Sequence, residues 1–327
     1  MPRSMLQGLA VATCVAIAPT STAFAHCFVG ARFFPATLSI DDPCVASELS
    51  LPTVSVFKNG DEPSARELDI SGEFSVRITE TVGISVGSTW IRLRPASGPT
   101  ASGFDNLETS PRWQFLTNAA REFVMSATLD VDWGHTGSAA VGAEPFTTLT
   151  PTLSIGQGFG GLPDTMKWLR PFAITAQLGY SVPTQSSTTA IDPDSRTLAT
   201  TPNPHSITYG GSLQYSMPYL KSSVVDLQLP DFFNHLIPVV EWNIQTQVSN
   251  FDGEERTTGT INPGVIWVGN YYQVGVEAII PINRASGDGV GVIAQLHLYL
   301  DDIFPTTIGR PLFSSASPTS GRPSFGN

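Results

Sequence analysis

The stretch VGVIAQLHLYLDDIF, Val290 to Phe304, alternates apolar and polar residues almost without a break. Val290, Val292, Ala294, Leu296, Leu298 and Leu300 share one face, and Gly291, Gln295, His297, Tyr299 and Asp301 share the other. A period of two is that of a β-strand with unlike faces. It recurs along the chain. Phe123, Met125, Ala127, Leu129, Val131 and Trp133 oppose Glu122, Ser126, Thr128, Asp130 and Asp132. Comparable segments start at Phe172, Ile207, Val240 and Tyr272, where Val240, Trp242, Ile244 and Val248 oppose Glu241, Asn243, Gln245 and Gln247, and Glu277 stands among the polar set of the last. Weaker alternation lies at 69–79, 83–94, 104–116, 147–156 and 256–268, with LPTVSVF (51–57) as one further strand. The sum is about twelve strands, with roughly 10–14 compatible, many reaching the 9–11 residues or so that a tilted strand needs to cross a bilayer.

Alternation alone fits both a soluble sandwich, apolar inside, and a membrane barrel, apolar outside. The polar face discriminates. A water-exposed face normally carries Lys and Glu, but here it is Gly, Ser, Thr, Gln and Asn with scattered acids, and the chain holds only 14% charged residues against about 25% in ordinary soluble domains. Small, weakly charged residues suit the interior of a closed cylinder. Closure is obligatory in hydrocarbon, where an open sheet edge leaves backbone groups without partners. The expected fold is therefore an all-β, antiparallel transmembrane barrel in a bacterial outer membrane, in contact with outer-membrane lipid. Aromatic residues agree, gathering at Trp113, Phe115, Phe123, Phe172, Tyr215, Trp267 and Tyr272 near one set of strand ends and at Trp90, Trp133, Tyr180 and Tyr209 near the other.

Residues 1–25 read as a secretory signal peptide, with Arg3, an apolar run from Met5 to Ala18, and small residues before a cut after Ala25. Residues 26–50 form an expected periplasmic strap or plug, 51–304 the barrel, and 305–327 a periplasmic tail. Cys14 belongs to the leader, leaving Cys27 and Cys44 as a disulfide pair in an oxidising compartment. Without Arg3 the chain has 16 basic against 28 acidic residues, a formal charge of −12, and nucleic acid is not an expected partner. The longer connections, among them GHTGSAAVGAEP and NRASGDG, are expected outside, and short turns such as TET and VGNY on the periplasmic side. LKSSVVDLQLPDFFNHLIP (220–238) is the exception, a long periplasmic link expected to hold a short helix or strap.

Motifs for other chemistry fail on context. GISVG places Ser85 as in a nucleophile elbow, but inside a continuous alternating segment rather than a strand-to-helix turn. GQGFGG (156–161) has dinucleotide-fingerprint spacing yet runs into LPDTMKW instead of a helix, and reads as a flexible turn. The five histidines show no metal-ligand spacing, so no cofactor or metal is expected. His297 alone sits mid-strand on the polar face; a barrel esterase would need a serine beside it across strands.

FFPATLSIDDPCVASELSLPTVSVFKNGDEP, NLETSPRWQFLTNAAREFVMSATLDVDWG, TINPGVIWVGNYYQVGVEAIIPIN and LYLDDIFPTTIGRP together resemble proteobacterial outer-membrane barrels of the porin-like transporter type, related to the phenol meta-pathway degradation barrels. That resemblance implies an exported barrel, inserted by the barrel-assembly machinery, that passes small solutes, hydrophobic or aromatic compounds among them. The lumen-facing candidates are Glu73, Arg77, Glu122, Asp130, Asp132, Glu241, Gln245, Glu277, Gln295, His297 and Asp301, and their acidic balance implies a mild preference for cations. No enzymatic activity is expected. The alternative is a closed structural barrel acting through its loops, because about eight strands leave a filled interior and sixteen an aqueous channel.

Overall fold

The computed structural model describes residues 26–60, 64–191, 197–253 and 256–313. The expected leader and most of the expected tail lie outside the described residues.

Twelve long strands form one antiparallel sheet that closes on itself. They are β1 (Glu48–Lys58), β2 (Ala65–Arg77), β3 (Val82–Pro95), β4 (Leu107–Asn118), β5 (Phe123–Trp133), β6 (Thr148–Gly158), β7 (Phe172–Pro183), β8 (His205–Tyr215), β9 (Leu236–Ser249), β10 (Thr257–Val268), β11 (Tyr272–Pro281) and β12 (Gly291–Tyr299). Each pairs with the next, and β12 pairs with β1 through Val292↔Val56, His297↔Ser50 and Tyr299↔Glu48. Closure leaves no free edge, as a hydrocarbon surround requires. Among the described residues no helix is long and apolar enough to cross a membrane.

The register turns the apolar faces outward. Ile84, Val86, Leu153, Leu178, Val276 and Val292 are all exposed large hydrophobics, which makes sense only against lipid. At the end where β1 begins and β12 stops, here the entry end, Phe172 and Tyr215 are cross-strand partners with rings 4.8 Å apart, and Trp267 lies 5.6 Å from Tyr272. Trp113, 57% exposed, continues this girdle. Trp133, at the opposite or distal end, donates from Nε1 to Thr109 Oγ1 at 2.9 Å.

Inside the entry end lies the segment preceding β1, residues 26–47. Cys27 and Cys44 are joined in a disulfide with Cα atoms 5.4 Å apart. Phe33 and Leu38 pack against Ile237, Val239, Ile266 and Val268, inward-facing residues of β9 and β10 that are almost fully buried. Cys27, Val29 and Phe34 pack with Val124 and Ala173. The inner faces of these strands are thus apolar where they meet the segment, which strict alternation does not anticipate. A Cβ on Gly275 would lie 2.5 Å from Leu38, and one on Gly210 would lie 2.9 Å from Ile40, so bare backbone on β11 and β8 lets the segment in.

Three boundaries differ from the reading of the sequence. β12 ends at Tyr299, not Phe304, and Leu300–Ile303 make a helical turn that buries Leu300 instead of showing it to lipid. β1 starts at Glu48, before 51. Gly156 and Gly158 belong to β6 rather than to a turn, and the link after them carries the 3-10 helix Asp164–Leu169. The long link before β9 holds helical turns at Met217–Tyr219, Leu220–Val224 and Asp231–Asn234.

Candidate functional site

Beyond the N-terminal segment the barrel interior opens into a cavity of about 540 Å³. Period-two alternation puts the polar side chains of the wall there, and the segment's residues 36–42 and 44–46 line it from the entry side. Its carboxylates are Asp41, Asp42, Glu48, Glu73, Asp105, Glu108, Asp130 and Asp132, and its one guanidinium is Arg112. Arg112 is not free to balance them all. It donates to the Asp42 carbonyl at 2.8 Å, the Cys44 carbonyl at 3.1 Å and Thr128 Oγ1 at 3.0 Å, and pairs with Asp41 at 2.5 Å, fastening the segment to β4 and β5. Burial, reinforced by the Glu48 charge, pushes the Asp42 carboxyl up to about 7. Acidic side chains thus outnumber basic ones on the cavity wall.

Five of the residues picked out from the sequence line this cavity: Glu73, Asp130, Asp132, Gln295 and His297. Gln245 lies on the same face of β9, toward the distal end, and is exposed. The other five are elsewhere. Glu241 and Glu277 are on inward faces but sealed beneath the segment, 0% and 1% exposed. Arg77 and Asp301 form a buried pair at the entry end, with Nη2 3.1 Å from Oδ1, and Asp301 Oδ2 accepts from the backbone N–H groups of His26 at 3.4 Å and Ser47 at 3.3 Å.

Glu122 is not on a strand. It caps the turn between β4 and β5 in the left-handed region, φ 50°, and accepts from Arg32 Nε at 3.1 Å and Tyr219 Oη at 2.7 Å. Arg32, fully buried, also donates to the Pro171 carbonyl at 3.0 Å and lies over the Tyr219 ring at 3.8 Å. Burial lowers the Arg32 guanidinium from its usual value and, with the Glu122 hydrogen bond, pushes the Tyr219 hydroxyl up to about 12. Side chains at Gly158 and Gly160 would collide with this cluster. That spacing, which resembles a fingerprint loop in the sequence, serves the anchoring of Arg32.

Asp41, Asp42, Glu48, Ser50, Asp105 and Glu108 were missed. Ser50 and Glu48 meet His297 only because the barrel closes: Ser50 Oγ is 2.7 Å from His297 Nδ1, and Glu48 Oε2 is 3.3 Å from Nε2. A serine does stand across strands from His297, therefore. The order of ring nitrogens, hydroxyl on Nδ1 and carboxylate on Nε2, is opposite to that of a serine-hydrolase triad.

No protein-family model and no curated protein sequence matches the chain. Solved structures do. The COG4313 outer membrane channel from Pseudomonas putida F1 aligns over 82% of this chain and 99% of its own, with a TM-score of 0.55 and 11% sequence identity. The NanC porin aligns over 76% of this chain and 98% of its own at 6% identity, with a TM-score of 0.45. The fold is that of the bacterial outer-membrane β-barrels.

Proposed function

We propose that the barrel provides a path for small hydrophilic solutes across the outer membrane, with cations preferred, and that residues 26–47 act as a plug narrowing its periplasmic end. The observation that carries this reading is the cavity itself, a space inside a closed barrel whose lining includes eight carboxylates and one guanidinium. Negative walls of low dielectric concentrate cations and repel anions. The lining favours positively charged solutes over the hydrophobic or aromatic compounds that the family resemblance implies. The likeness of fold to an outer membrane channel supports passage rather than a purely structural role.

Reconstitution of the mature protein in planar bilayers under a salt gradient tests the proposal. A reversal potential of the sign for cation selectivity is expected. Anion selectivity would contradict the role of the acids, and silence even after removal of residues 26–47 would leave the structural barrel.

One observation favours a second reading. The Ser50–His297–Glu48 contacts place a hydroxyl, an imidazole and a carboxylate together on the cavity wall, the residue types of an activated nucleophile though with the ring nitrogens reversed. Covalent labelling by a fluorophosphonate, abolished in Ser50→Ala, would establish it.

A further inference from the structure

Glu241 and Glu277 project inward from β9 and β11, on either side of β10. The strand between them makes room. Gly264 of β10 pairs with Glu277, and a Cβ there would run into the Glu277 side chain, so the glycine lets Glu277 cross its own neighbour toward Glu241. The two carboxyl groups come within hydrogen-bonding reach of each other. Two residues before Gly264, on the same inward face, is Asn262, the cross-strand partner of Glu241. All three residues are at least 98% buried: 0% exposed for Glu241, 1% for Glu277 and 2% for Asn262.

What surrounds them is one-sided. Glu241 Oε2 accepts from the Ser39 backbone N–H at 2.6 Å, and Asn262 Nδ2 donates to Ser39 Oγ at 2.6 Å. Apart from the neighbouring carboxyl and the nearby Ser39 and Thr37 hydroxyls, no donor approaches Glu241 Oε1 or the carboxylate oxygens of Glu277, and Asn262 Oδ1 has no hydrogen-bond partner. Thr37, beside Glu241, gives its hydroxyl proton to the Ile40 carbonyl at 2.6 Å, leaving oxygen lone pairs. Among the described residues no ion pair involves either glutamate. Four buried acceptor oxygens without a well-placed donor, two of them on one carboxylate, are a costly arrangement when both carboxyls are charged unless a positive charge sits among them.

We infer that Glu241, Glu277 and Asn262, with Thr37 from the N-terminal segment, form a binding site for one hard divalent cation of the calcium class. Oxygen-only ligands, two full negative charges and a neutral amide oxygen are the donor set such an ion takes, with water completing six to eight positions or so. The site joins three strands of the wall to the segment inside, so occupancy fixes the segment in place. It is independent of whether solutes pass.

The test uses the full mature protein, folded in detergent and stripped with EDTA, titrated with Ca²⁺ by calorimetry and assayed for bound calcium after dialysis. One Ca²⁺ per chain is expected for wild type, raising the temperature at which the barrel unfolds on a gel. Glu277→Gln should lose that equivalent and the calcium-dependent shift. Asn262→Ala, which keeps both charges, should weaken binding by roughly tenfold or more, the scale on which losing a supporting group lowers metal affinity. Asp164→Asn, on the exposed surface, should retain it. Folded wild type that takes up no calcium at millimolar concentration, or uptake unchanged in both Glu277→Gln and Asn262→Ala, overturns the assignment. A proton shared between the glutamates would then be the answer.

Discussion

The entry and distal halves of the lumen are built from the same twelve strands, yet their inward side chains meet different things. In the entry half Ile237, Val239, Ile266 and Val268 face inward onto Phe33 and Leu38, and Arg32 with Glu122 and Arg77 with Asp301 are buried there as pairs. In the distal half the inward positions carry Glu108, Asp130 and Asp132 around open space. The outward faces of both halves are alike in being apolar, because both meet the hydrocarbon of the bilayer. Alternation therefore reports the outside of this barrel, while the inside is free to be a second hydrophobic core at one end and an acidic vestibule at the other.

Removing residues 26–47 is the most severe way to break this contrast. Single-channel conductance is expected to rise several-fold, since the segment fills the entry half. Next in size is Arg32→Ala. Taking one member from a buried pair leaves Glu122 uncompensated and costs about 3–5 kcal/mol, to be read as a lowered midpoint in denaturant titration. Glu122→Gln, which keeps a hydrogen-bonding side chain, should cost less. Replacing Glu108 and Asp130 by Gln and Asn should move the reversal potential toward zero without altering stability much, because these acids border the cavity rather than the plug.

A smaller effect follows from Asp42. Burial and the Glu48 charge hold its carboxyl near 7, well above the ~3.9 of an unfolded chain. The fold prefers the protonated form, so this contribution is complete below about 4 and is lost as pH rises through 7. Protease protection of the N-terminal segment is expected to decline over that window, and Asp42→Asn to flatten the decline. The smallest change is expected of Ser50→Ala on conductance, since its hydroxyl is already engaged by His297.

Much of the outer surface was legible. Each alternating segment named from Phe123, Phe172, Ile207, Val240, Tyr272 and Val290 has a counterpart among β5, β7, β8, β9, β11 and β12, because side-chain direction in a strand is a local property. The Cys27–Cys44 bridge was legible too, from compartment and count. What escaped depends on distant parts of the chain meeting. Ile237 and Val239 look like a slip in the alternation of LIPVVEW until Leu38 is placed against them. Val124 breaks the polar set Glu122, Ser126, Thr128 for the same reason, lying with Phe34. These apolar residues on an otherwise polar face were the available signal for a filled lumen. The Ser50–His297 contact spans 247 positions and Arg32–Glu122 spans 90, so neither is visible before the cylinder closes.

Asp301 sits just past the final strand and receives N–H groups from both ends of the segment in the lumen, along with the Arg77 guanidinium. The seam where β12 pairs with β1 is therefore also the place where both ends of the segment are held. Any widening of the proposed path by movement of that segment would have to break these contacts at Asp301 first.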